Sequence, residues 1–145
     1  MTIRASTIEE RDALLDVWLR SVRATHHFLA EEDIEFFLPF VREALVANGL
    51  ERWTLVAADG TPAGFMLLDG EKLEALFLAP EYRGRGEGRR LLEHALARGV
   101  RAVDVNEQNA AAVRFYERCG FVVTGRSPLD GTGRPFPLLH MRIGD

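Results

Sequence analysis

The chain has 145 residues, close to the commonest size of one domain, and its 47% hydrophobic and 28% charged residues suit a globular protein folded around one core. A formal net charge of −4 argues against a general nucleic-acid binder, which carries a basic face, and is mildly compatible with a cationic partner. No apolar run nears the roughly 18 residues of a membrane span, acidic residues interrupt the amino terminus before a secretion signal forms, and the single cysteine, Cys119, excludes an intrachain disulfide, so a cytoplasmic setting is expected.

In chain order, Ile3 to Ala5 reads as a short strand. Thr7 and Glu10 have the Thr-x-x-Glu spacing of a capping box and open a helix through about Ala24, with Leu14, Leu15, Trp18 and Val22 at helical spacing. A second helix spans Glu31 to Ala47, broken or kinked at Pro39 and stopped by Gly49. Trp53 to Ala58 and Ala63 to Leu68 form a hairpin around Asp59-Gly60. A strand from Lys72 to Ala79 leads into a glycine-rich turn and a helix from Gly86 to Ala97. A strand at Ala102 to Val105, a helix at Asn109 to Arg118 and strands at Phe121 to Thr124 and Leu138 to Arg142 complete one α/β domain over residues 1–145. Ser127 to Pro137 is a surface loop, and the chain contains no internal repeat.

The turn Arg83-Gly84-Arg85-Gly86-Glu87-Gly88 carries the most chemical information. Glycines let backbone approach a ligand, and a helix start offers unpaired N–H groups at a positive dipole end, a combination suited to a diphosphate. A phosphate-hydrolysing loop would need Gly-Lys-Ser/Thr, whereas Gly88 is followed by Arg89 and Arg90. A dinucleotide fold would place the turn after the first strand, not after several. Both readings fail.

Arg-x-x-Gly-x-Gly after a strand ending in Leu78-Ala79-Pro80, followed by Asn109, Tyr116 and Gly120-Phe121 in that order, resembles the two signatures of the GNAT superfamily of N-acetyltransferases. The resemblance implies a mixed, twisted and splayed β-sheet flanked by helices on both faces. Acetyl-CoA would be the cosubstrate and an amine the acceptor, with no metal. It further implies that backbone groups of Leu76, Phe77 and Leu78 pair with the pantetheine arm, and that the turn Arg83, Gly84, Arg85, Gly86, Glu87, Gly88 and Arg89 holds the pyrophosphate. Asn109 would bind the coenzyme, although Asn is also a favoured helix N-cap. Tyr116 matches the family's general acid, and a phenol suits that task because it stays protonated at neutral pH.

A base must also take a proton from the amine. Glu74 fits, on the coenzyme-facing strand with Lys72, Leu76 and Leu78 expected on its face; Asp104 is a rival. His26, His27 and Phe28, between the first two helices, fall where the family builds its acceptor wall, with Trp18 either beside them or in the core. Cys119 reads as a small buried side chain rather than a nucleophile. Three functions follow: acetylation of protein lysines or amino termini, acetylation of a small-molecule amine, or coenzyme A binding without catalysis. A monomer or homodimer is expected.

Overall fold

A computed structural model describes residues 1–144. Its strands are β1 (Thr2–Ala5), β2 (Glu51–Val56), β3 (Pro62–Asp69), β4 (Lys72–Leu78), β5 (Ala102–Asn106), β6 (Val122–Ser127) and β7 (Leu138–Arg142). Its helices are α1 (Arg11–Thr25), α2 (Glu31–Ala44), α3 (Glu87–Ala97) and α4 (Ala110–Arg118). One sheet holds all seven strands in the order β1-β2-β3-β4-β5-β7-β6, antiparallel except where β4 meets β5. Alternation along β3 divides its side chains between two cores. Phe65 and Leu67 face α1 and α2, while Met66 and Leu68 join Leu91, Leu92 and Tyr116 from α3 and α4. The sheet is mixed, with helices on both faces, as the family resemblance implies.

The feature that positions the site lies between β4 and β5. Only Lys72↔Ala102 and Leu73↔Val103 pair across them, and beyond Leu73 the two strands part. From Glu74 to Leu78, one edge of β4 is therefore open in the middle of the sheet.

Several local expectations are revised. The Thr7 amide does donate to the Glu10 carboxylate (2.8 Å), but Ile8–Glu10 is a separate 3-10 turn and α1 begins at Arg11. Arg4 also pairs with Glu10 (2.7 Å), tying β1 to that turn. The second helix continues unbroken through Pro39 and ends at Ala44, three residues before the expected Ala47. Pro39 and Glu35 are both exposed, so the carbonyl that loses its donor lies near water, which softens the cost of the missing bond. β6 runs to Ser127, three residues past the expected end, because β7 pairs with it as far as Leu138.

A bulge alters the reading of β4. Leu67 pairs with Ala75 and Leu68 with Leu73, leaving Glu74 as the extra residue. The bulge breaks the expected alternation of Lys72, Glu74, Leu76 and Leu78 on one face. Leu73, Leu76 and Leu78 pack with the α3/α4 core, whereas Ala75 and Phe77 pack with the α1/α2 core.

Candidate active site

The parting strands open a cavity of about 570 Å³. Its walls are Leu73 to Leu78 of β4, Val103 to Asn106 of β5, the glycine turn, the inner face of α4, and Ser21, Thr25 and His26 at the end of α1. The sequence explains the turn. Gly84 (φ 74°) and Gly86 (φ 80°) occupy the left-handed region, and a Cβ on either would meet no atom within 4 Å. Gly86 is also the N-cap of α3, so its flat backbone leaves the first amides of that helix uncovered. Arg83, Gly84, Gly86, Gly88 and Arg89 line the cavity. Arg85 and Glu87 do not: the Arg85 guanidinium lies 5.8 Å from the centre of the Tyr82 ring, and Glu87 pairs with Arg90 (2.7 Å). The open β4 edge, the unblocked turn and the helix start fit a pantetheine arm followed by a diphosphate.

Asn109 is the N-cap of α4, its side chain accepting from the Ala112 amide (3.2 Å), and it also faces the cavity. Tyr116, about two turns beyond the cap, also lines the cavity and is 7% exposed. Burial, with a smaller contribution from Cys119, pushes its phenol well above the ordinary range, so it remains a proton donor. Phe115 and Phe121 fix its ring edge-on, with centroids at 5.0 and 5.5 Å. Cys119 is half-buried on the same wall rather than sealed in the core. Arg118, which no sequence motif marked, adds a third arginine beside Arg83 and Arg89.

A second cavity, about 580 Å³, lies on the α1/α2 side. The two cavities share His26, Glu74, Ala75, Phe77 and Asn106. Glu74, the bulge residue, therefore stands at the junction, its carboxylate 3.8 Å from the Lys72 ammonium. Asp104 is engaged differently. It accepts from Lys72 (2.8 Å) and from the His140 Nδ1–H (2.7 Å), while Ser127 and His140 Nε2 are hydrogen-bonded at 2.7 Å. Burial opposes ionisation of Asp104, but the His140 and Lys72 hydrogen bonds outweigh it and hold the carboxyl below its usual range. The Asp104 carboxylate is thus already engaged by two donors. Sequence reasoning missed this Ser127–His140–Asp104–Lys72 chain because its members come from four strands.

His26 and His27 separate, as adjacent residues on one turn do. His27 is exposed and lines neither cavity; His26 lines both. The Thr25 hydroxyl gives its one proton to the Ser21 carbonyl (2.8 Å), so the 2.7 Å contact with His26 requires Nδ1–H to donate to Thr25 and leaves Nε2 a lone pair. Burial above all, then the charge on Arg83 and then His27, lower the His26 pKa from 6.5 to about 4, and the ring is neutral at physiological pH. The folded state thus binds the proton less readily than the unfolded state. The stability conferred by a neutral His26 is complete above about pH 6.5 and lost as the pH falls towards 4. His26→Gln should therefore flatten the acid side of the stability curve between those values. Urea midpoints for parent and variant, subtracted at each pH, measure this; parallel curves would mean that His26 titrates normally.

Phe28 lines the second cavity, and Trp18, buried in the α1/α2 core, also reaches its wall. Among the described residues, no cluster of three or more His, Cys, Asp or Glu could hold a metal, and no helix is long and apolar enough to cross a membrane.

Comparison with known proteins agrees with this geometry. The profile of the acetyltransferase (GNAT) domain matches residues 26–143, and the chain belongs to that family. It is 46% identical to the peptidyl-lysine N-acetyltransferase YjaB of Salmonella typhimurium over 97% of each chain. It is also 46% identical to YjaB of Escherichia coli, over 97% of this chain and 95% of the relative. The solution structure of apo-form YjaB from Escherichia coli superposes with a TM-score of 0.88 at 45% identity, covering 97% of this chain and 95% of that one. A PaiA N-acetyltransferase from Thermoplasma acidophilum, solved in complex with coenzyme A, shares the fold (TM-score 0.72, 23% identity, 99% and 100% covered). The chain is thus an N-acetyltransferase that uses acetyl-CoA.

Proposed function

We propose that the chain, as a single domain, transfers acetyl from acetyl-CoA directly to the side-chain amine of a protein lysine. The observation that carries this reading is the junction of the two cavities at Glu74. One cavity has the open strand edge, glycine turn and Tyr116 suited to the thioester; the other approaches the same point from the opposite side. The lysine acceptor is supported by the two relatives at 46% identity named as peptidyl-lysine N-acetyltransferases. A half-buried lone cysteine suits a cytoplasmic enzyme.

In this reading the β4 edge at Leu76, Phe77 and Leu78 aligns the pantetheine arm. Amides of the turn Arg83 to Arg89 hold the diphosphate, and Asn109 contacts the coenzyme near the arm. A strand amide at Leu76 steadies the oxyanion. Glu74 takes the amine proton or holds the water that does, and Tyr116 protonates the departing thiolate. His26 borders the acceptor with its Nε2 lone pair. Acetyl transfer to a lysine peptide, followed by mass spectrometry, tests the activity; acetyl-CoA binding without transfer to any lysine or other amine would leave only a coenzyme-binding module.

Glu74→Gln should slow this reaction most below neutral pH, because at higher pH more of the amine is already unprotonated and the defect should shrink. Rate profiles against pH for parent and variant decide it. Identical profiles would place the base elsewhere, with His26 and Asp104 as the remaining candidates near the junction.

A further inference from the structure

The second cavity holds more than an amine needs. A slim butylammonium arm reaching Glu74 fills little of 580 Å³, a volume within the range that accommodates drug-sized molecules. Its remaining wall is aromatic, and the rings form a continuous series. Phe77 of β4 lies 6.3 Å from His26, His26 lies 5.3 Å from Phe28, Phe28 lies 6.1 Å from Phe136, and Phe136 lies 5.9 Å from Phe37 of α2. These rings come from four separate segments and converge on one space. No arginine or lysine lines that space, while three carboxylates, Asp69, Glu74 and Asp130, do. Asp130 is occupied in its own loop, accepting from Thr132 and from the Arg134 amide, so the available charge lies towards the β4 side. The pocket therefore has a carboxylate end for a cation and an aromatic end for an apolar group.

The aromatic end is also held in place. Arg134 stacks 3.6 Å over the Phe36 ring and pairs with Asp33 (3.3 Å), fastening the loop that carries Phe136 onto α2. A wall already fixed loses little freedom on binding and can discriminate between ligands.

We infer that the second cavity selects acceptor lysines flanked by a large apolar or aromatic residue: the lysine arm enters at Glu74 and the neighbouring side chain packs against Phe28, Phe37 and Phe136. This rests on the peptidyl-lysine reading above. The test uses three N-acetylated, C-amidated tripeptides, Phe-Lys-Ala, Ala-Lys-Ala and Glu-Lys-Ala, the Phe and Glu peptides also as Ala-Lys-Phe and Ala-Lys-Glu, plus phenethylamine. The Phe-flanked peptide should have a kcat/KM roughly tenfold or more above the Ala-flanked one, the scale of a modest apolar pocket, and the Glu-flanked peptide should be poorest. Calorimetry with desulfo-coenzyme A present should give the same order of affinity without turnover. Phe136→Ala should narrow the Phe/Ala ratio, and Phe136→Leu should retain more of it; if the alanine variant does not fold, the leucine variant alone must narrow the ratio. Equal rates and affinities for all peptides would overturn the selectivity while leaving lysine acetylation standing. Acetylation of phenethylamine with no acetylation of any peptide would overturn the lysine reading itself, and the selectivity with it.

Discussion

Tyr116→Phe is expected to lower turnover by roughly 100-fold or more while acetyl-CoA binds almost as tightly, the scale of losing a general acid. The substitution removes one oxygen and keeps the ring, so the edge-on contacts with Phe115 and Phe121 persist and the fold has little reason to change. The parent phenol is kept protonated by burial, so ionisation of this group should not produce an alkaline fall in rate within the ordinary working range. Steady-state rates with a peptide bearing a free lysine amine, alongside calorimetric acetyl-CoA affinity, separate the roles. Losses in affinity and stability with turnover intact would make Tyr116 a packing residue.

The other large effect is expected from Gly86→Val. A Cβ at Gly86 meets no protein atom within 4 Å, so the substitution creates no internal clash. It imposes left-handed backbone on a branched residue, about 1–2 kcal/mol of strain, and it puts methyl groups over the start of α3. Acetyl-CoA should raise the melting temperature of the parent, because it binds only the folded state, and Gly86→Val should abolish most of that rise. Gly60→Val is the control. Gly60 also has a left-handed φ (88°) with open space, but it sits in the β2–β3 turn away from the cavity, so its ligand-induced rise should survive. A folded Gly86→Val protein with unchanged acetyl-CoA affinity would place the diphosphate elsewhere.

Much of this arrangement was legible because its cues are local. Asp59-Gly60 gave the hairpin, helical spacing gave the buried face of α1, and Gly86 and Asn109 marked the starts of α3 and α4. The glycine turn and Tyr116 do line one cavity. What escaped depends on partners distant in sequence. The bulge at Glu74 arises from how β3 pairs with β4, and period-two counting along one strand does not see it. The place of β7 between β5 and β6 is a tertiary fact, and with it the contact of His140 with Asp104. Phe136 lies in a stretch read only as a surface loop, and its role became visible once Arg134 was seen stacked on α2. Pro39 obeyed its helical surroundings more than its own reputation as a breaker.

The parting of β4 and β5 also bears on how the molecule behaves in a crowd. A bare strand edge invites another protein's strand, and proteins commonly blunt their outer edges with lysine, proline or very short strands. The open stretch Glu74 to Leu78, though short, contains neither lysine nor proline. Its defence is location. It faces inward across a cleft bounded by β5, α4 and the glycine turn, where a strand bearing side chains on both faces would collide with those walls. A thin, unbranched chain has no such difficulty. The fold thus keeps an adhesive edge available to a slender ligand and withholds it from neighbouring proteins.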